Sequence, residues 1–336
     1  MVIDRCFMLG DITDFSDYTF LYPRCSRNMY LPSGNLSGIY YETKKKGNHN
    51  KMIYIDHFTF PDAEKEWDYL MQVKRTCYDT MYPFKTISRH GLERIDFEPV
   101  TILYGGNGSG KTTVLNVIAE KLQIKRDSVY NKTNFFPCYV EMCDYVLERE
   151  IPEKSRIITS DDVFDYMLNI RNLNQGIDEK RENLFDEYMD AKYSNFRMRS
   201  IEDYDELKKV TKARSMTQSR FVRSEVMGNV REYSNGESAF IYFTEKMEED
   251  GLYILDEPEN SLSPKRQLEL KDFIDKSIRY FGCQFIISTH SPFLLAMQGA
   301  KIYDLDEDPV DLKRWTELEN VRTYFDFFKT YEDEFN

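Results

Sequence analysis

The run Val100-Thr101-Ile102-Leu103-Tyr104 is apolar and partly β-branched, and it leads straight into Gly105-Gly106-Asn107-Gly108-Ser109-Gly110-Lys111-Thr112. A short continuous apolar run bounded by glycines reads as a strand buried on both faces. Beyond the glycines, Thr112 to Leu122 places Val114, Leu115, Val117, Ile118 and Leu122 at helical spacing. Strand, glycine-rich turn and helix in that order restrict the chain to an α/β architecture with a phosphate site at the turn. The glycines let backbone N–H groups converge on phosphate oxygens, and the helix dipole adds positive potential at the same point. Lys111 is then placed to pair with the β and γ phosphates and Thr112 to offer its hydroxyl to Mg²⁺, with Thr113 the next residue of the cradle. ATP with Mg²⁺ is the expected ligand.

Two more strands follow the same logic. Leu252-Tyr253-Ile254-Leu255 ends in Asp256-Glu257, and Gln284-Phe285-Ile286-Ile287-Ser288 ends in Thr289-His290-Ser291-Pro292; the segment Lys265 to Tyr280 between them is helix-forming. Strands alternating with helices imply a mainly parallel sheet. Asp256 is positioned to hold a Mg²⁺ shell. Glu257, one residue on and pointing to the other side of the chain, is positioned to polarise the attacking water. Between the first and second strands, Tyr233-Ser234-Asn235-Gly236-Glu237-Ser238 opens a helix-like run from Ala239 to Met247.

These elements together resemble the ABC-type P-loop ATPases, and Asp-Glu-Pro-Glu-Asn with Ser-Thr-His-Ser-Pro is most similar to their RecF/SMC-like soluble branch, in particular its small stand-alone bacterial ATPases. The resemblance runs from about Met52 to the last strand near Ile302-Tyr303-Asp304-Leu305. It implies that Ser234, Gly236 and Glu237 form a signature motif that binds the γ-phosphate of a nucleotide held by a second copy. It also implies that Pro258 to Pro264 pass between the two sites of a head-to-tail dimer, and that His290 contacts the γ-phosphate. Catalysis would fall to Glu257, His290 and Lys111. Asn235 departs from the commoner signature form. The glutamine of the family's Q-loop is missing; where it should fall, Arg156-Ile157-Ile158-Thr159 ends in Ser160-Asp161-Asp162, whose acids suit either a metal shell or a helix N-cap.

The resemblance implies DNA repair or defence against phage and mobile elements, with an effector protein driven by the ATP cycle. A non-hydrolysing ATP-dependent switch is the alternative, and a transporter's nucleotide-binding subunit a further one. Residues 51–336 are expected to form the ATPase domain, with a helical lobe at about 160–240, and residues 1–50 an N-terminal extension of turns and short strands. Before the first glycine strand, Met52 to Phe60 reads as a strand and Ala63 to Gln72 as a helix capped by Pro61-Asp62. The fold expected is thus a mainly parallel sheet flanked by helices, with an antiparallel N-terminal β part.

Net charge is −13 over 336 residues, so any nucleic-acid contact has to be local. One locality qualifies. Lys192, Arg197, Arg199, Lys208, Lys209, Lys212, Arg214, Arg220 and Arg223 stand against only Glu202, Asp203, Asp205 and Glu206, which suits either a phosphate backbone or a solvated helical face. The cysteines (Cys6, Cys25, Cys77, Cys138, Cys143 and Cys283) contain no CxxC pair, as expected for free thiols in a reducing cytosol. No apolar run approaches the ~20 residues needed to span a bilayer.

Overall fold

The computed structural model describes residues 52–74, 77–230 and 233–335. The expected extension at residues 1–50, with Cys6 and Cys25, lies outside them. The described chain opens with strand β1, Ile55–Thr59, and helix α1, Ala63–Gln72, whose N-cap Asp62 accepts from the Lys65 N–H. The strand is shorter than the Met52 to Phe60 run suggests. Strand β2, Arg94–Asp96, pairs antiparallel with β1. Strand β3, Val100–Tyr104, feeds the glycine loop and helix α2, Lys111–Lys121, as the apolar spacing predicts.

Helix α3, Phe136–Met142, and strand β4, Asp144–Leu147, have no clear signal in the sequence. β4 is an edge strand with mostly exposed side chains, so it lacks the alternation that marks a half-buried one. It completes a three-stranded antiparallel sheet of order β2-β1-β4, which is the antiparallel part expected from the sequence.

Strand β5, Arg156–Thr159, runs directly into α4, Ser160–Tyr193. Helices α5, Tyr204–Ser215, and α6, Gln218–Glu225, fold back on α4, and Leu184, Tyr188, Val210, Ala213, Phe221 and Val222 give this lobe a small core of its own. Helix α7, Asn235–Lys246, starts at Asn235, earlier than the Ala239 onset expected, because Ser234 and Glu237 cap its first turn. Strand β6, Leu252–Asp256, helix α8, Pro264–Tyr280, strand β7, Gln284–Ser288, and the short helix α9, Pro292–Leu295, come next. Strands β8, Lys301–Asp304, and β9, Asp311–Leu312, and helix α10, Glu319–Thr330, complete the described fold.

The main sheet has order β5-β6-β7-β3-β8-β9, parallel except for β9. Side chains alternate between its two faces. Leu103, Leu252, Ile254 and Ile286 join one core with α2, α3 and the antiparallel sheet; Ile102, Tyr253, Leu255, Phe285 and Ile287 join the other with α7, α8 and α9. The register sets Thr159 beside Asp256, Asp256 beside Ser288, and Ser288 beside Leu103, so these strand ends line one edge.

A buried glutamine joins the two sheets. Gln284 accepts from the N–H of Tyr54 (2.7 Å) and of Ile55 (3.0 Å), and donates to the carbonyls of Ile55 (3.0 Å) and Glu98 (3.3 Å). No helix among the described residues is long and apolar enough to cross a membrane.

Candidate functional site

The carboxyl edge of a parallel sheet is where the helix N-termini and loops of an α/β fold converge. Here β3 delivers the glycine loop, β6 delivers Asp256 and Glu257, and β7 delivers His290. The loop turns tightly enough that a side chain on Gly105 would come within 2.6 Å of Ser109 Oγ, and Gly110 has φ of +93°, a region that glycine enters without steric cost. Lys111, 4% exposed, donates Nζ–H to the carbonyls of Gly105 (2.7 Å) and Gly106 (3.0 Å) and lies 3.5 Å from Glu257 Oε1. Ser109 Oγ is buried without a partner, so the loop holds a polar atom and a cation beside a run of backbone N–H groups, a composition that fits a polyphosphate.

Thr112 Oγ1 donates to Asp256 Oδ1 at 3.3 Å, and Ser288 Oγ donates to the same oxygen at 2.5 Å. Burial holds Asp256 above the usual aspartate range. A buried carboxylate beside a hydroxyl is an all-oxygen donor pair of the kind that suits Mg²⁺. Among the described residues no group of three or more His, Cys, Asp or Glu could hold a metal alone, so a cation here would share Thr112 and Asp256 with phosphate oxygens.

Glu257 Oε1 is 3.1 Å from His290 Nε2, and Glu257 Oε2 accepts from Asn260 Nδ2 at 2.9 Å. Burial pushes the Glu257 carboxyl up, but the Asn260 amide and the neighbouring Lys111 and His290 outweigh it and hold the group below the usual glutamate range. It is therefore an ionised acceptor at neutral pH. All of the loop, Thr112, Asp256, Glu257 and His290 thus meet at one edge.

Ser234, Gly236 and Glu237 do not join them within the chain. No hydrogen bond or ion pair among the described residues links them to the loop; Glu237 Oε2 accepts from the Ser234 N–H (3.2 Å) and hydroxyl (3.0 Å), and Arg171 Nη2 donates to Asn235 Oδ1 at 2.9 Å. A side chain on Gly236 would contact the Ser261 carbonyl at 3.6 Å, so the motif sits against the segment that follows Glu257.

Of the two acids offered for the Q-loop position, Asp162 is an N-cap partner: its Oδ2 accepts from the Thr159 N–H (2.7 Å) and hydroxyl (2.9 Å). Its Oδ1 is buried without a partner. In the basic lobe, Lys209 pairs with Glu187, Lys212 with Glu225, and Arg214 donates to the Ser194 carbonyl, so part of the cluster serves the lobe itself.

Three residues near the site carried no motif. Asp306, past the end of β8, accepts the Gly106 N–H on both oxygens (2.8 and 2.7 Å) and pins the start of the loop. Tyr82 donates its hydroxyl to Thr113 Oγ1 at 3.0 Å. Arg126, half-buried over the Tyr130 ring at 4.0 Å, donates to Asn116, and Asp162 and Asp256 are among the acids whose charge it feels.

Two family models match this region. The ABC transporter model matches residues 94–260 and the AAA ATPase domain model residues 232–295. No curated protein is significantly similar in sequence. Among solved structures, a dimeric ATP-binding cassette in a post-hydrolysis state bound to ADP and Pi is 12% identical, covering 67% of this chain and 90% of its own, with a TM-score of 0.31. The Smc head domain with an extended coiled coil bound to the C-terminal domain of ScpA, derived from Pyrococcus furiosus, is 14% identical over 70% of this chain and 95% of its own, TM-score 0.33. The SMC head domain from Thermotoga maritima is 13% identical over 66% and 92%, TM-score 0.31. The two family matches together span the glycine loop, the Asp256-Glu257 strand end and the His290 loop, and this chain carries a P-loop ATPase domain of the ABC type.

Proposed function

We propose that the chain binds Mg²⁺-ATP on Gly105 to Thr112 and Thr113 and hydrolyses it to ADP and phosphate in a site completed by Ser234, Gly236 and Glu237 of a second copy. The observation that carries this reading is a division within one chain. Lys111, Thr112, Asp256, Glu257 and His290 converge at one sheet edge, while among the described residues no hydrogen bond or ion pair joins Ser234 to Glu237, at the start of a helix, to that group. Head-to-tail pairing would bring the two halves together across the interface.

The residues present define the chemistry. Lys111 and the loop N–H groups neutralise the β and γ phosphates, and Thr112 and Asp256 would hold Mg²⁺. Bound there, the ion would neutralise charge on the phosphate oxygens. Glu257 accepts a proton from water as its oxygen attacks the γ-phosphorus and the bond to the β-phosphate oxygen breaks, leaving ADP. His290, beside Glu257, orients that carboxylate and faces the γ-phosphate. Closure and reopening around ATP would convert each turnover into a change of dimer geometry that drives or gates an effector protein. DNA repair or defence against phage and mobile elements, in the cytoplasm, is the setting we favour, with the exposed arginines of the lobe as the place for any nucleic acid.

Mixing two inactive variants tests the reading. Lys111→Ala removes the phosphate lysine and Ser234→Arg blocks the opposing motif, so each alone should release no phosphate. Their mixture forms some dimers with one intact composite site and should recover a measurable fraction of wild-type turnover. A mixture as inactive as its components would count against a shared site, and negligible wild-type turnover with tight ATP binding would favour a non-hydrolysing switch.

A further inference from the structure

We propose that Glu259 is a positioning residue that ties the backbone of His290 to the segment following Glu257, so that the two move as a unit. The role in catalysis rests on the ATPase reading above; the mechanical link rests on geometry alone. Residues 289–291 lie between the end of β7 and the start of α9; the Thr289 N–H still bonds the Leu103 carbonyl at 3.3 Å, but the peptide groups of His290 lie beyond the ladder and ahead of the helix. Side chains from two distant segments fix them instead. Glu259, in the 3₁₀ turn Pro258–Ser261, accepts the N–H of His290 (2.5 Å) and of Ser291 (3.2 Å) on Oε1. Asn320, in the first turn of α10, donates Nδ2–H to the His290 carbonyl at 2.7 Å, and its own N–H reaches the Tyr104 hydroxyl at 3.3 Å.

Both peptide groups of His290 are thereby held, one by the turn and one by α10. This arrangement leaves buried oxygens poorly served: Glu259 Oε2 and Asn320 Oδ1 make no hydrogen bond of good geometry, Thr289 being the other polar neighbour of Glu259. An unpaired buried oxygen carries an uncompensated desolvation penalty, which an apolar side chain filling the same space would avoid. Packing alone does not account for these two residues, whereas fixing His290 does. The neighbouring Asn260 donates to Glu257, so consecutive residues of a single turn hold both members of the Glu257–His290 pair. The same turn presents the Ser261 carbonyl to Gly236, and in the proposed dimer it lies between the two sites. A second copy pressing on the turn would therefore shift His290 through Glu259. Neither Glu259 nor Asn320 touches the reacting atoms.

The full chain carrying Glu259→Gln, Glu259→Ala or Asn320→Ala tests the proposal by two readouts. In the first, phosphate release from Mg²⁺-ATP should fall about 10- to 100-fold in Glu259→Ala, the scale of a misplacement near 1 Å, with ATP affinity within about threefold of wild type. Asn320→Ala should fall in the same direction. Glu259→Gln, whose amide oxygen can accept the same two N–H groups, should keep most of the activity. In the second, the ring carbon–proton NMR signal of His290, one of four histidines and assigned by its loss in His290→Asn, should move in Glu259→Ala and stay in place in Glu259→Gln. An unmoved ring signal in Glu259→Ala, or equal damage from Gln and Ala, would overturn the proposal. Should the wild type fail to hydrolyse ATP, the ATPase reading falls, and the ring signal still decides the link.

Discussion

Glu257 has φ 46° and ψ 54°, a left-handed conformation that costs a non-glycine residue on the order of 1–3 kcal/mol and that clusters at functional sites. Its N–H is held by the carbonyl and hydroxyl of Ser288, both at 3.1 Å, so the neighbouring strand end keeps the carboxylate turned toward Lys111 and His290. If this carboxylate takes the proton from water, Glu257→Gln should lower phosphate release by about 10²–10⁴-fold while ATP binding stays near wild type, as read by a nucleotide titration beside a phosphate assay. Loss of binding in parallel with turnover would assign Glu257 to holding the loop instead. The residues of the glycine loop, Asp256, Glu257 and His290 are legible in the sequence because each lies within a few positions of a strand end, where spacing alone fixes location. Asp306, Arg126 and Asn320 are not, because their contacts join segments 10 to 216 residues apart and no local pattern announces them.

The strands and helices that carry the site were readable from apolar runs and helical spacing. Those that support it from outside, β4 and α3, were not, since an exposed edge strand and a helix of seven residues produce no lasting period. Ser234 and Glu237 likewise cap α7 and start it four residues ahead of its apolar run, a local hydrogen-bonding effect that hydrophobic patterning does not register. The join between the two sheets is equally invisible, because it depends on one polar residue in an apolar strand. Gln284 is fully buried and satisfies four backbone groups at once. Gln284→Leu, similar in volume, should destabilise the domain by about 2–5 kcal/mol in urea unfolding, since it leaves several buried N–H and C=O groups without partners. A loss under about 0.5 kcal/mol would mean that the antiparallel sheet is held by its apolar contacts alone.

At the scale of the whole molecule, a net charge of −13 sets two copies against each other at long range, so close pairing needs a specific gain at the interface. A triphosphate gripped by both copies, as proposed, would supply one, and it would link association to nucleotide by mass action. The Glu257→Gln chain is the most direct probe, because it should bind ATP and hold it unhydrolysed. Light scattering on that variant should give the mass of one chain with Mg²⁺ alone and of two chains with Mg²⁺-ATP, and adding Ser234→Arg to the same chain should return it to the mass of one. A mass unchanged by Mg²⁺-ATP, under conditions where binding is saturated, would contradict a site shared between two copies.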